Sequence, residues 1–235
     1  MLSGTIIHGD SFLLMQDIPS ESVDLILTDP PYAINYRSNR RTFRPQFDFL
    51  HNDSPGEWIE TFARESYRIL KPDSHLYCFT RHDVYIRFFT AFEGAGFKMK
   101  RTLVWVKNNH GSGDLKGDYA PRDEWIIFCS KGRRHLNGKR SDNTLFYNTV
   151  SSHQRRHPTE KPVDMLSFLI SKSTQPGDLV IDPFAGALST GVAAMDNNCS
   201  FLLLDLEQRY LSEGINDIIS HPEVARYDIK AEINK

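Results

Sequence analysis

The chain is poor in cysteine, and no two of Cys78, Cys129 and Cys199 lie close together. An odd, unspaced set excludes a disulfide framework and a cysteine-rich metal site. Each sits in or beside an apolar run, so they read as reduced structural thiols. No run of about 18 apolar residues occurs, and no transmembrane helix is expected. The opening MLSGTIIHGD lacks the basic-then-apolar layout of a secretory signal, so a cytoplasmic location is expected. There is no GxGxxG, which makes a dinucleotide a poor candidate ligand. Nor is there an excess of one charge, since the formal net charge is −2.

The basic residues are nonetheless clustered. Arg37, Arg40, Arg41 and Arg44 form one group. Lys131, Arg133, Arg134, Lys139 and Arg140 form a second, and Arg155, Arg156 and Lys161 a third. Glu160 is the sole acid inside these three stretches. Two readings stay open: solvated loops, or a surface for an anionic partner such as nucleic acid.

With 235 residues, 40% hydrophobic and 25% charged, the composition is ordinary for one globular domain of generous size. Short apolar runs alternate with helical patterns. Strands are expected at 5–8, 23–28, 75–80, 98–106, 124–129, 178–182 and 200–205, and helices at about 55–70, 82–94, 162–174, 188–197 and 207–219. KPDS and QPGD read as punctuation after two of the helices. This alternation implies an α/β, Rossmann-like fold. Its seven-stranded sheet is mostly parallel with one antiparallel strand, 124–129, and has helices on both faces.

Two of these strands end alike. LILTDPPY closes on Asp29, Pro30, Pro31 and Tyr32, and LVIDPFAG on Asp182, Pro183, Phe184, Ala185 and Gly186. A lone Asp-Pro is usually a turn. A pair of them at the carboxyl ends of buried parallel strands marks the edge where such sheets bind ligands. The small residues after Phe184 allow close backbone approach. Asp205, ending the next strand, stands where a ribose diol is held in Rossmann-like folds.

The two strand ends resemble the motifs of amino-methyltransferases that use S-adenosylmethionine to methylate exocyclic amines of DNA bases. DPPY precedes the cofactor turn, as in the circularly permuted β class. HGDS at 8–11, WVK at 105–107, HPTEKP at 157–162, and Asp205 with Tyr210 also match, so the likeness covers roughly residues 4–212. Two positions depart from the pattern. Leu188 stands where a second glycine is usual, and Asp205 where glutamate is usual.

The resemblance implies roles for particular residues. Asp29 and the Pro30 carbonyl would accept the amine's N–H groups, Pro31 would stiffen the corner, and Tyr32 would stack on a flipped-out base. Asp182, Phe184 and Gly186 would border S-adenosylmethionine. Asp205 would hold its ribose, and Asp10 would reach its adenine. Thr159, Lys161 and Pro162 would line its methionine side. Double-stranded DNA would be the partner, contacted by Arg37, Arg40, Arg41, Arg44, Lys116, Arg122, Arg133, Arg134, Arg155 and Arg156. A target-recognition insertion is expected around 130–156 of a single domain, 1–235. The family pattern also implies a bacterial or phage-type enzyme, with restriction-modification, phage and regulatory roles all open, a homodimer as one possible assembly, and adenine N6 as the target, because Asp rather than Ser opens DPPY.

Alternatives are methylation of cytosine N4, and a non-catalytic nucleic-acid-binding protein that keeps the fold. RNA and protein glutamine are also conceivable acceptors, although glutamine enzymes usually carry Asn before Pro-Pro-Tyr. No metal is expected, because His153 and His157 lack an evident third ligand. Trp105 reads as core, Lys107 as a phosphate contact or a solvated strand end, and Glu124 as a structural strand start.

Overall fold

The computed structural model describes residues 1–32, 57–111, 116–151 and 160–233. In chain order the elements are β1 (Leu2–His8), α1 (Ser11–Gln16), β2 (Val23–Thr28), α2 (Glu57–Ile69), β3 (Leu70–Thr80), α3 (Tyr85–Gly94), β4 (Lys98–Met99), β5 (Leu103–Val106), β6 (Asp123–Lys131) and β7 (Thr144–Phe146). Then follow α4 (Val163–Ser173), β8 (Leu179–Asp182), α5 (Ser189–Asp196), β9 (Ser200–Asp205), α6 (Gln208–Ile219) and β10 (Tyr227–Glu232).

One sheet holds every strand, in the order β10-β1-β9-β8-β2-β3-β6-β5-β7, with β4 also on β6. β6 alone runs against its neighbours. The expected antiparallel strand is therefore confirmed. The sheet has ten strands among the described residues rather than seven, for three reasons. The run 98–106 breaks at Lys100–Thr102 into β4 and β5. A three-residue β7 pairs with β5. β10 adds an edge beyond β1. β10 exposes Asp228, Lys230 and Glu232, a charged edge that resists pairing with another chain.

β2 shows why the sheet is covered on both faces. Leu25 and Leu27 enter one core cluster with Met165 and Leu169 of α4, Ala193 of α5 and Leu211 of α6. Val23 and Ile26 enter the other, with Met15 of α1, Trp58 and Phe62 of α2 and Phe88 of α3. All four β2 side chains are fully buried, each worth about 1.5–3 kcal/mol relative to exposure.

KPDS follows the end of α2, as expected. It lies inside β3, where the register slips from Val23 opposite Leu70 to Leu25 opposite His75. Asp73 there has φ 57°, and the irregularity accommodates Pro72. The short helix α1 was not expected. Asp10 caps it, its Oδ1 accepting the Phe12 N–H at 2.8 Å. Trp105 is core as read, 2% exposed, with its indole N–H on the Tyr147 carbonyl.

Candidate active site

β2 and β8 are neighbours, paired through Leu25–Val180 and Ile26–Ile181. From β2 the chain moves to β3 on one side, and from β8 to β9 on the other. Their carboxyl ends thus flank the switch point of the sheet, the edge at which such sheets bind ligands.

Asp182 ends β8 there and is buried. Its Oδ1 accepts the Thr28 hydroxyl at 2.7 Å and the Phe184 N–H at 3.1 Å, and its Oδ2 accepts the Thr190 hydroxyl at 2.6 Å. Burial pushes its pKa up to about 6, against the pull of those donors. Both oxygens are occupied by protein groups. Asp182 therefore braces β2, the turn and α5.

The turn it braces carries Gly186 at φ 49° and Leu188 at φ 65°. Gly186 donates its N–H to Asp205 Oδ2 at 2.7 Å, and the Glu207 N–H reaches Asp205 Oδ1 at 2.8 Å. Burial holds Asp205 above the usual carboxylate range, although both N–H groups favour its charged form. Leu188 is fully buried, and its side chain packs where α6 presents Gly214; a Cβ at Gly214 would overlap the Ala187 carbonyl. The glycine needed for this close approach is supplied by α6, so leucine fits in the turn.

Beside Asp205 in register stands His8. Its Nε2 lies 3.0 Å from the Leu206 carbonyl, whereas its buried Nδ1 has no hydrogen-bond partner among the described residues. Phe184 meets Phe62, Phe12 and Trp58 edge-on at 5.5–6.4 Å. An orphaned ring nitrogen, the capping carboxylate of Asp10, Asp205 and a half-buried aromatic suit a nucleoside with a diol.

The other strand end forms a charged network. Asp29 Oδ1 accepts the Tyr32 hydroxyl at 2.6 Å, and its Oδ2 accepts from the Lys161 ammonium. Lys161 also reaches Glu124 Oε1 at 2.9 Å, and Lys107 pairs with Glu124 Oε2 at 2.9 Å. The Tyr32 hydroxyl is 3.2 Å from Glu124 Oε1. Burial raises Asp29 above its ordinary value, while Lys161 pulls it down and Glu124 adds to the rise. Burial acts on Glu124 in the same sense, but Lys161 and Lys107 outweigh it and hold it low. Lys161 is raised because the two acids overcome its burial, and it stays a cation. Burial, then Asp29, lifts Tyr32 well above the usual phenol range.

Lys161 is thus tied to Asp29, whereas the methionine side of a cofactor was its expected neighbour. Pro162 caps α4 immediately after it. Glu124 was read as structural and is part of this network. The only signal in the sequence was an acid heading an apolar strand. Lys107 is not a solvated strand end, since it pairs with Glu124 and sits 4.9 Å over the Trp105 ring.

The basic residues divide. Lys116 and Arg122 lie in the loop from β5 to β6, at the same edge as Asp29, with Arg122 Nε on the Lys107 carbonyl at 2.8 Å. Arg133 and Arg134 lie away from Asp29. Antiparallel β6 carries the chain to the opposite edge. There Asp73 accepts the Arg133 N–H at 2.6 Å, and Arg134 pairs with Asp178 at 3.6 Å. The segment then returns past α4, where Asn137 binds the Ser171 carbonyl, to Thr149, which binds Asn108 beyond β5. Arg37, Arg40, Arg41, Arg44, Arg155, Arg156 and Thr159 lie outside the described residues, as do His153 and His157.

A family model described as DNA methylase, for the N6 and N4 enzymes, matches residues 23–216. YubD of Escherichia coli (strain K12) is 35% identical over 209 residues, covering 88% of this chain and 87% of its own. DNA adenine methyltransferase YhdJ of the same strain is 28% identical over 252 residues, covering 92% and 84%. The crystal structure of the M1.HpyAVI–SAM complex superposes with a TM-score of 0.69 at 24% identity, covering 91% of this chain and 98% of that one. The chain belongs to the N6/N4 family of DNA methylases.

Proposed function

We propose that this protein methylates the exocyclic N6 amine of adenine flipped out of double-stranded DNA, with S-adenosylmethionine as donor. The observation that carries the reading is Asp29, a half-buried carboxylate on a Pro-Pro corner at the switch point, beside a turn suited to a nucleoside. Asp in the first position of DPPY favours adenine over cytosine, and so does the likeness to an adenine methyltransferase.

When bound, S-adenosylmethionine supplies a methyl group on a sulfonium. Asp205, Gly186, Phe184, Asp10 and His8 Nδ1 would hold it. The amine is a weak nucleophile because its lone pair is delocalised into the ring. Asp29 and the Pro30 carbonyl accept its N–H groups and favour a pyramidal nitrogen. Two prolines keep these acceptors aimed, so little reorganisation is needed. Flipping costs a few kcal/mol, and stacking on Tyr32, worth about 1–3 kcal/mol, offsets much of it. Lys116, Arg122 and the arginines of 37–44 are placed in sequence to meet phosphates, with 130–156 as the recognition segment. A second copy of the chain would double those contacts.

Expression in a host without DNA methylation, followed by nucleoside analysis of its genome, tests the proposal. N6-methyladenine is expected. N4-methylcytosine would overturn the choice of base, and unmodified DNA would overturn the activity.

A further inference from the structure

Asp29, Lys161, Glu124 and Lys107 form a row of alternating charge that runs from the base corner towards the β5–β6 loop. The side chains of Lys161, Glu124 and Asp29 are only 8%, 12% and 17% exposed. Such a row is poor as a stabilising device, because well-packed apolar residues of similar volume usually do as well or better. Its geometry suits a different task.

The two oxygens of Asp29 are treated differently. Lys161 holds Oδ2, and the Tyr32 hydroxyl holds Oδ1. A base amine needs one of these oxygens, and Oδ1 has the exchangeable donor. The phenol has a single proton and a second acceptor within reach, Glu124 Oε1 at 3.2 Å. A whole lysine charge on Asp29 would weaken it as an acceptor. Glu124 shares that charge, and Lys107 on its far oxygen balances Glu124 in turn.

We propose that Glu124 is a positioning residue: through Lys161 it fixes the Asp29 carboxylate without neutralising it, and it receives the Tyr32 hydroxyl when a base enters. The phenol keeps its proton throughout and only changes acceptor. This inference rests on the reading of Asp29 as the group that meets the base.

The groups that face Asp29 are Lys161 before α4, Glu124 on β6, Tyr32, Cys78 on β3 and Asp182 on β8. Tyr32 and Cys78 are held protonated by burial, and Asp182 is common to all the variants below. Glu124 raises Asp29 and Lys161 lowers it. Neutralising each should therefore move Asp29 in opposite directions.

The test is a carbon-13 titration of the Asp29 carboxyl in the DNA-free full chain, assigned with Asp29→Asn, for wild type, Glu124→Gln and Lys161→Gln. Turnover and S-adenosylmethionine affinity are measured on the same proteins. The midpoint should move to lower pH in Glu124→Gln and to higher pH in Lys161→Gln. Turnover of Glu124→Gln should fall at least about tenfold, short of the ~100-fold for loss of an aimed group itself. Cofactor affinity should stay within about twofold, and Glu124→Asp should recover part of the rate. An unmoved midpoint, shifts of the same sign, full turnover in Glu124→Gln, or a parallel loss of cofactor affinity would each overturn the proposal. Opposite shifts in a protein whose wild type leaves DNA unmethylated would keep the charge arrangement and remove the substrate reading instead.

Discussion

Lys161 closes an ion pair with Asp29 from 132 positions further along the chain. The pair joins HPTEKP to DPPY at the end of β2, so two motifs separated by five strands, β3 to β7, meet at one carboxylate. The order β2-β3-β6 sets Asp29 and Glu124 at one edge of the sheet, and Lys161, just before α4, pairs with both.

Asp205 should matter for the cofactor twice over, as a diol acceptor and as the anchor of the Gly186 N–H. Hydrogen bonds to charged groups contribute about 1.5–3 kcal/mol. Asp205→Ala should therefore weaken S-adenosylmethionine binding by about ten- to a hundredfold in calorimetry, with the fold retained by circular dichroism. An unchanged affinity would place the cofactor elsewhere.

Leu188 makes a prediction about sign. Its left-handed backbone costs a non-glycine residue about 1–2 kcal/mol, while a buried leucine truncated to alanine typically costs about 2–5 kcal/mol. Both Leu188→Gly and Leu188→Ala should lower stability in urea denaturation. Alanine should be the worse by about 1 kcal/mol, because it loses the packing and keeps the strain. A glycine variant less stable than the alanine one would mean that the turn is not strained.

Asp182 sets a pH dependence. Its folded pKa of about 6 lies above the ordinary 3.8, so the folded state holds the extra proton between roughly pH 4 and 6. Stability from this group is present below that window and lost as pH rises through it. Each tenfold change in proton affinity is worth about 1.4 kcal/mol. Asp182→Asn should therefore gain on wild type by about 1–3 kcal/mol between roughly pH 4 and pH 7. A constant difference across that range would show that Asp182 titrates normally.

The acid-proline strand ends were legible because an acid interrupts a run that is otherwise buried on both faces, and few other reasons exist for it. The switch point followed from their order. Glu124 was not legible, because an acid before WIIFC looks like any solvated strand start, and its partners Lys107 and Lys161 come from other elements. That Asp182 spends both oxygens on Thr28, Thr190 and a backbone N–H depends on packing that no local pattern records. β10 was hidden because the polar alternation of YDIKAE lacks the apolar run by which inner strands are found.

The arginines at 37–44 should add salt-sensitive, sequence-independent affinity if they meet phosphates. Arg40→Ala/Arg41→Ala should weaken DNA binding and lower the log–log salt slope by about 0.9 per lost contact, leaving cofactor affinity unchanged. Equal slopes for variant and wild type would make them a solvated loop.

If Asp29 acts on the base, its loss should spare the cofactor. Single-turnover methyl transfer and cofactor binding, measured side by side for wild type and Asp29→Ala, test it most directly. The account predicts a loss of about 100-fold or more in transfer, with S-adenosylmethionine affinity within a few-fold of wild type. Unimpaired transfer by a folded Asp29→Ala protein would contradict it.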